Sequence, residues 1–398
     1  MRLAERQALS RIVSICGDAG GAAALVPVVA KLRREHGCSV DAFVYRQACQ
    51  IFDLQGLAAV ALDESKSAGE VSRALTASSP ALVLTATSTG ESSLEMRFIA
   101  EARRLGIPTL TVLDFWSSYV ERFTGVANHS LSGSLPDRIA IMDGRARAEM
   151  ESLGFPPDCL EITGQPAFDA LQSLRLASTS ITRTVLRQAH SIGDGDLLAL
   201  YLSSPISSHL GADESSPGYI GYTEHTSLRL LLDELEVLSS ELQGSIHLLI
   251  KPHPRDPADN FNGWKGNQVR LEVVSQADTR QLILASDLVV GTVTVALIES
   301  CLLGKPTISL QPGLIGEDML PSNRWGATTA VYDARDLRKT IIELLKGDTA
   351  QQSRLSRMPT ELTDGRAAER VALVALDMIQ HSCQQDTDAL VPSERRGG

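Results

Sequence analysis

Ile12-Val13-Ser14-Ile15-Cys16-Gly17-Asp18-Ala19-Gly20-Gly21 is the stretch from which the architecture is read. Ile12 to Cys16 is a short apolar run, the pattern of a strand covered on both faces rather than one alternating between core and water. It stops at a glycine-rich turn. From Ala22 to Glu35 apolar residues then recur at helical spacing, so the unit reads strand, glycine turn, helix.

Outward from this unit the alternation repeats. Ser39 to Tyr45, Ala81 to Thr85, Pro108 to Leu113, Arg138 to Met142 and Leu160 to Thr163 read as strands. Helices are expected over Glu70 to Thr76, Ser92 to Leu105 and Arg145 to Leu153, with a polar loop from Phe123 to Leu135. A helical connection covers Ser178 to Asp196. A second series then opens, with strands at Leu197 to Leu202, Ile246 to Ile250, Arg270 to Val274, Asp287 to Val290, Thr307 to Leu310 and Thr329 to Tyr332. Its helices fall at Ser227 to Leu242, Thr279 to Ala285, Val293 to Leu303 and Ala334 to Leu345. Alternation of this kind gives parallel sheets covered by helices, so the expected fold is α/β with two Rossmann-like domains facing each other across a cleft. The expected division is 1–190, an acceptor-side domain, and 191–360, a nucleotide-sugar-binding domain. A helix at 361–383 would pack back on the first domain, and a disordered tail would occupy 384–398.

Composition narrows the function classes. The chain has 398 residues, 43% hydrophobic and 21% charged, which suits a soluble protein of two or three domains. No apolar run is long enough to span a bilayer, and Met1 to Arg11 lacks the apolar core of a signal peptide. The six cysteines are scattered without a CxxC pair, which predicts a reducing, cytoplasmic setting and no structural zinc. A net charge of −11 with no basic stripe argues against nucleic acid as a partner.

Chemistry is expected beyond the carboxyl ends of the strands, where open α/β sheets bind ligands. In the turn Gly17 to Gly21, the glycines Gly20 and Gly21 would let the backbone approach a ligand, and Asp18 is either a helix cap or a catalytic group. Lys251-Pro252-His253-Pro254-Arg255 follows an apolar strand and gathers Lys251, His253 and Arg255 in one loop, the donor set a phosphate needs. Gly291-Thr292-Val293-Thr294 ends another strand and opens a helix, offering backbone N–H groups and hydroxyls as a phosphate cradle. Glu299, alone in the apolar helix that follows, is a candidate acceptor for a ribose diol. Asp114 heads an aromatic segment, Phe115, Trp116, Tyr119 and Phe123; it could be a base beside a sugar platform, or the segment could be packed support for the sheet. Ser204 follows the first strand of the second series and could reach a phosphate, or act in an ordinary cap. Gln311-Pro312-Gly313 could line a base pocket. His225 and His247 read as structural.

At these residues the sequence resembles a known superfamily. Asp287 to Gly291, the threonine-rich turn, Ile298-Glu299-Ser300 and Leu303 to Pro306 are similar to the C-terminal nucleotide-binding segment of GT-B glycosyltransferases and UDP-GlcNAc 2-epimerases. Ile162 to Asp169 resembles the "TGNPxxD" segment that precedes their domain linker. The resemblance implies that Glu299 holds the ribose and the helix start at Thr292 to Thr294 the diphosphate. Where those epimerases carry paired glutamates, this chain has the single Glu299. Lys251 to Pro254 also resembles the HP motif of bacterial sialyltransferases, whose histidine contacts the donor phosphate; their acidic N-terminal motif is not evident here.

The leading expectation is a metal-independent glycosyltransferase using a nucleotide-sugar, UDP favoured, with an unspecified acceptor and no cofactor. Asp18, Asp114 and His253 are its candidate catalytic residues. The alternatives are an epimerase or hydrolase of the nucleotide-sugar, and a non-catalytic nucleotide-sugar binder. A homodimer is kept as an option.

Overall fold

The computed structural model describes residues 10–88, 93–124, 130, 131, 133, 135–178, 180–241, 244–347 and 354–389. Thirteen strands among them form two parallel sheets. The first comprises β1 (Arg11–Cys16), β2 (Ser39–Val44), β3 (Val60–Ala61), β4 (Leu82–Thr85), β5 (Thr109–Val112), β6 (Arg138–Ile141) and β7 (Leu160–Ile162). The second comprises β8 (Leu197–Leu202), β9 (Ile246–Lys251), β10 (Arg270–Val273), β11 (Leu288–Gly291), β12 (Thr307–Leu310) and β13 (Thr329–Val331). Their orders are β3-β2-β1-β4-β5-β6-β7 and β10-β9-β8-β11-β12-β13. Both are the doubly wound order, each reversing direction once, between β1 and β4 and between β8 and β11.

Strand β1 shows why the pleat demands helices on both faces. Ile12 and Cys16 belong to a core with Ala24, Val28 and Val29 of the helix Ala19–Arg34, while Val13 and Ile15 join Val71, Leu75, Leu94 and Phe98 on the other side. All four strand residues are fully buried. In the second sheet, Ala199 and Tyr201 of β8 pack with Leu228, Leu231, Leu232 and Leu235 of the helix Glu224–Ser239.

The chain separates into two compact units, Met1–Asp169 with Thr360–Gly398, and Ala170–Pro359. The division therefore falls at 169/170, not at 190/191. Arg187 lies on the helix Ser180–Gln188, assigned to the first domain but held in the second unit. This fully buried guanidinium pairs with Asp287 at 2.9 Å, just ahead of β11, and donates to the carbonyls of Gly193 and Asp196. The C-terminal segment belongs to the first unit for an equally local reason. Asp169 accepts the backbone N–H groups of Ala367 and Ala368 at 2.9 and 2.7 Å, capping the helix Ala367–Ala389 across the sequence. Val371, Ala372, Ala375 and Ile379 of that helix then fill the core against Val28 and Val29.

Other expectations shift in detail. The helix predicted from Ala22 begins at Ala19, and that predicted over Ser227 to Leu242 runs Glu224–Ser239, Leu242 lying outside the described residues. Gln384 to Ala389, expected to be disordered, continue the last helix; 390–398 lie outside the described residues. The loop predicted from Phe123 begins inside a short helix, Glu121–Thr124, and 125–129, 132 and 134 also lie outside. Strand β3 was missed because it is two exposed residues long at a sheet edge. No helix among the described residues is long and apolar enough to cross a membrane. The five cysteines with described side chains are free thiols.

Candidate functional site

In the second unit, three adjacent strands end in one row. Lys251 of β9 is in register with Leu202 of β8, and Leu202 with Gly291 of β11. Neighbouring strands lie about 4.8 Å apart, so the loops after β9 and β11 leave the sheet about 10 Å from each other, on either side of Ser203-Ser204. Two hydrogen bonds stitch the row: Ser203 N–H to the Lys251 carbonyl at 3.1 Å, and Ser204 Oγ–H to the Val293 carbonyl at 2.8 Å. Ser204, Lys251, His253, Arg255 and Gly291 to Thr294 thus share one edge, at the point where the strand order reverses.

Their side chains are used unequally. Lys251 is turned toward the end of β10, where its ammonium donates to the Ser275 carbonyl, and burial lowers its pKa. His253 is fixed by its own loop. Its backbone N–H donates to Asp256 Oδ2 at 2.8 Å, and its Nδ1 accepts the N–H of Arg255 at 3.1 Å. Burial, then Arg255, then His209 pull its pKa down to about 4. The imidazole is therefore neutral near pH 7, with its proton on Nε2. Gly291 is a packing glycine, since a Cβ there would lie 2.8 Å from the Leu202 carbonyl.

The helix predicted from Val293 begins at Val295, with Thr294 as its N-cap accepting from Ala296 N–H at 3.4 Å. Two hydroxyls on this edge, Ser203 Oγ and Thr292 Oγ1, are buried without a hydrogen-bond partner among the described residues. Glu299 is not unpaired: its Oε1 meets Arg280 Nη2 at 2.7 Å. Gln311 is fully buried and saturated, donating to Ser309 Oγ and Asp318 Oδ1 and accepting from Tyr222 OH. His247 and His225 keep structural roles, beside Asp196 and stacked on Trp264 respectively.

The first unit has its own edge, where β1 and β4 part. Its glycines allow close approach within the protein. A Cβ on Gly17 would strike the Tyr45 ring at 2.2 Å, one on Gly20 would meet Asp114 Oδ2 at 2.4 Å, and one on Gly21 the Thr87 carbonyl at 2.7 Å. Asp18 stands at the N-cap position of its helix, yet its side chain makes no capping bond. It pairs instead with Arg46 at 2.9 Å. Asp114 is held by Arg122 and by Thr87 Oγ1–H at 2.6 Å. Three of the four aromatics support the sheet: Trp116 donates to Asp143 and stacks on Phe168, Tyr119 donates to Glu149, and Phe123 packs edge-on to Phe155, each at most 5% exposed, while Phe115 is half-buried.

The segment Thr163 to Asp169 links this edge to the C-terminal helix. Gln165 Nε2 donates to the Asp114 carbonyl at 2.7 Å, and Arg370 donates to the Thr163 carbonyl at 2.6 Å. Gly164, with φ of 88°, leaves no room for a Cβ against the Glu361 carbonyl.

Two sheets of the same doubly wound order, with a C-terminal helix returning to the first unit, identify the architecture. The fold is GT-B. Solved structures agree on that point. The chain is similar to UDP-GlcNAc 2-epimerase of Neisseria meningitidis, bound to UDP-GlcNAc, at 15% identity and a TM-score of 0.65, covering 93% of this chain and 100% of that one. It is similar to Anabaena Alr3699/HepE in complex with UDP-glucose at 14% identity and 0.60, covering 94% and 99%. The glycotransferase of kitacinnamycin matches at 13% identity and 0.58, covering 93% and 99%. No protein-family profile and no curated protein matches the sequence.

Sequence reasoning missed several residues that shape the GT-B edges here. Glu95, Tyr45, Ser88, Arg46 and Arg122 were not singled out. Glu95 follows Ser93, an N-cap, so it reads as a first-turn acid and nothing more. Arg46 has a φ of 48°, a backbone state with no signature in an arginine codon position or its neighbours.

Proposed function

We propose that this GT-B protein is a metal-independent, cofactor-free glycosyltransferase that takes a UDP-sugar as donor. The observation that carries the reading is His253: a neutral imidazole locked by its loop, on the same sheet edge as the helix start at Thr294. Departure of UDP builds negative charge on the diphosphate. A preoriented N–H, the Arg255 guanidinium and the N-terminus of the helix Val295–Leu302 would stabilise that charge. Glu299 would accept from the ribose hydroxyls. Activation of the acceptor hydroxyl is assigned to Asp18 or Asp114.

The test is a panel of UDP-, CMP-, GDP- and TDP-sugars, with release of free nucleotide followed by chromatography in the presence and absence of candidate acceptors. Acceptor-dependent release of UDP supports the reading, and His253→Ala should abolish most of it. Turnover unchanged in that variant would remove His253 from the mechanism.

A second reading, epimerisation or hydrolysis of UDP-GlcNAc, is favoured by the higher structural similarity to the epimerase than to the glycotransferase. Inverting the sugar C2 requires breaking its C–H bond. The donor alone in D2O would then gain deuterium at C2, whereas a transferase leaves it unlabelled. Saturable UDP binding with no turnover at all would instead identify a sugar-nucleotide binder.

A further inference from the structure

We propose that Glu95 is a positioning residue, whose carboxyl group fixes both the backbone and the side chain of Asp18. Glu95 lies in the first turn of the helix Leu94–Arg104 and is 2% exposed. Oε1 accepts the Gly17 N–H at 2.9 Å and the Ser88 hydroxyl at 2.6 Å; Oε2 accepts the Tyr45 hydroxyl at 2.5 Å. Among the described residues, these three donors converge on one carboxyl group, with no ion pair to a cation. Burial raises the pKa of Glu95, and the hydrogen bonds from Ser88 and Tyr45 oppose that rise. A buried carboxyl group so served by hydrogen bonds has its oxygens fixed in direction.

Two routes lead from it to Asp18. Along the backbone, Glu95 holds Gly17 N–H directly, and Ser88 Oγ, oriented by Glu95, accepts the Asp18 N–H at 3.1 Å. Along the side chain, Tyr45 is held by Glu95, its ring carries the Arg46 guanidinium 5.2 Å from the centroid, and Arg46 grips the Asp18 carboxylate at 2.9 Å. Gly17 is required for the same arrangement, because the Tyr45 ring occupies the volume of a Cβ. The second unit repeats the device: buried Glu224 accepts the backbone N–H and hydroxyl of Ser207, just past its own first strand. The first strand-to-helix turn of each unit is thus tied to a glutamate at the start of a later helix.

The consequence for turnover rests on the transferase reading; the structural claim does not, and one experiment separates them. Backbone amide hydrogen exchange at Gly17 and Asp18 is measured with kinetics in Glu95→Leu and Glu95→Gln. The leucine removes every acceptor. Exchange at Gly17 and Asp18 should accelerate about tenfold or more, that at Ile139 to Ile141 should not, and kcat should fall with KM little changed. The glutamine can aim its carbonyl at Gly17 and Ser88, so exchange and kcat should stay within about threefold of the parent. Unchanged exchange in a folded Glu95→Leu, or equal damage in both variants, overturns the proposal. If Glu95→Leu does not fold, Ser88→Ala replaces it, and unchanged exchange at the Asp18 amide overturns the proposal. Should the parent protein turn over no UDP-sugar, the transferase reading fails while the exchange data still decide the role of Glu95.

Discussion

The backbone N–H of Arg255 donates to Nδ1 of His253 at 3.1 Å, so the imidazole proton is confined to Nε2. A neutral donor held in this way would need no prior protonation to hydrogen-bond a phosphate. His253→Ala should weaken UDP binding by about ten- to a hundredfold at pH 7.5, the worth of a hydrogen bond to a charged group, as read by calorimetry. An unchanged Kd would show that the diphosphate lies elsewhere.

The same residue sets an acid limit on stability. Its pKa is about 4 in the fold against an ordinary 6.5, so between those values the unfolded chain binds more protons than the folded one. Stability is therefore fully present above pH 6.5 and declines as pH falls toward 4, by up to about 3 kcal/mol from this group. Urea unfolding from pH 7 to 4 should show a smaller decline in His253→Gln. Parallel curves for the two proteins would contradict the burial of the ring.

Glu299 offers one oxygen to Arg280, and its side chain is 13% exposed. Glu299→Gln should weaken UDP roughly tenfold through the lost charge-assisted hydrogen bond, with stability changed by less than about 1 kcal/mol. Dideoxy-UDP, lacking the 2′- and 3′-hydroxyls, should bind parent and variant alike. If both nucleotides weaken equally, Glu299 does not read the ribose.

Gly21 tests the packing of the first turn. Its added Cβ would meet the Thr87 carbonyl at 2.7 Å and the Ala86 Cβ at 2.9 Å, neither on a flexible side chain. Gly21→Ala should cost about 1–3 kcal/mol through overpacking. Gly69, also helical, has open space around its Cβ position, and Gly69→Ala should be neutral or stabilising by up to about 1 kcal/mol. Equal unfolding midpoints for the two variants would refute the close approach.

Asp287 carries a structural charge. Removing it with Asp287→Ala leaves the fully buried Arg187 without its carboxylate and the Leu198 N–H without its 2.8 Å acceptor. The loss should reach about 3–5 kcal/mol, visible as a lower urea midpoint. A change below about 1 kcal/mol would mean that the pair does not anchor the helix Ser180–Gln188 to the second sheet.

What the sequence determined by itself was periodic and local. Short apolar runs marked the strands of both sheets except β3, because a strand covered on both faces needs apolar residues at most positions. The same reading found the loops at Gly17, Lys251 and Gly291, since strand ends are marked by a change in residue type. Partnership between distant residues was decided only by the tertiary structure. Whether Asp18 caps a helix or grips Arg46, whether Trp116 faces a sugar or Asp143, and whether Glu299 is alone or paired with Arg280 depend on residues many positions away. Glu95 is the clearest case. Its sequence neighbours mark it as a helix-start acid, and only the meeting of Gly17, Tyr45 and Ser88 around it makes it a buried, hydrogen-bonded carboxyl group. Hydrogen bonds and ion pairs act over a few ångströms of space, and a linear pattern carries no record of which side chains the fold brings within that reach.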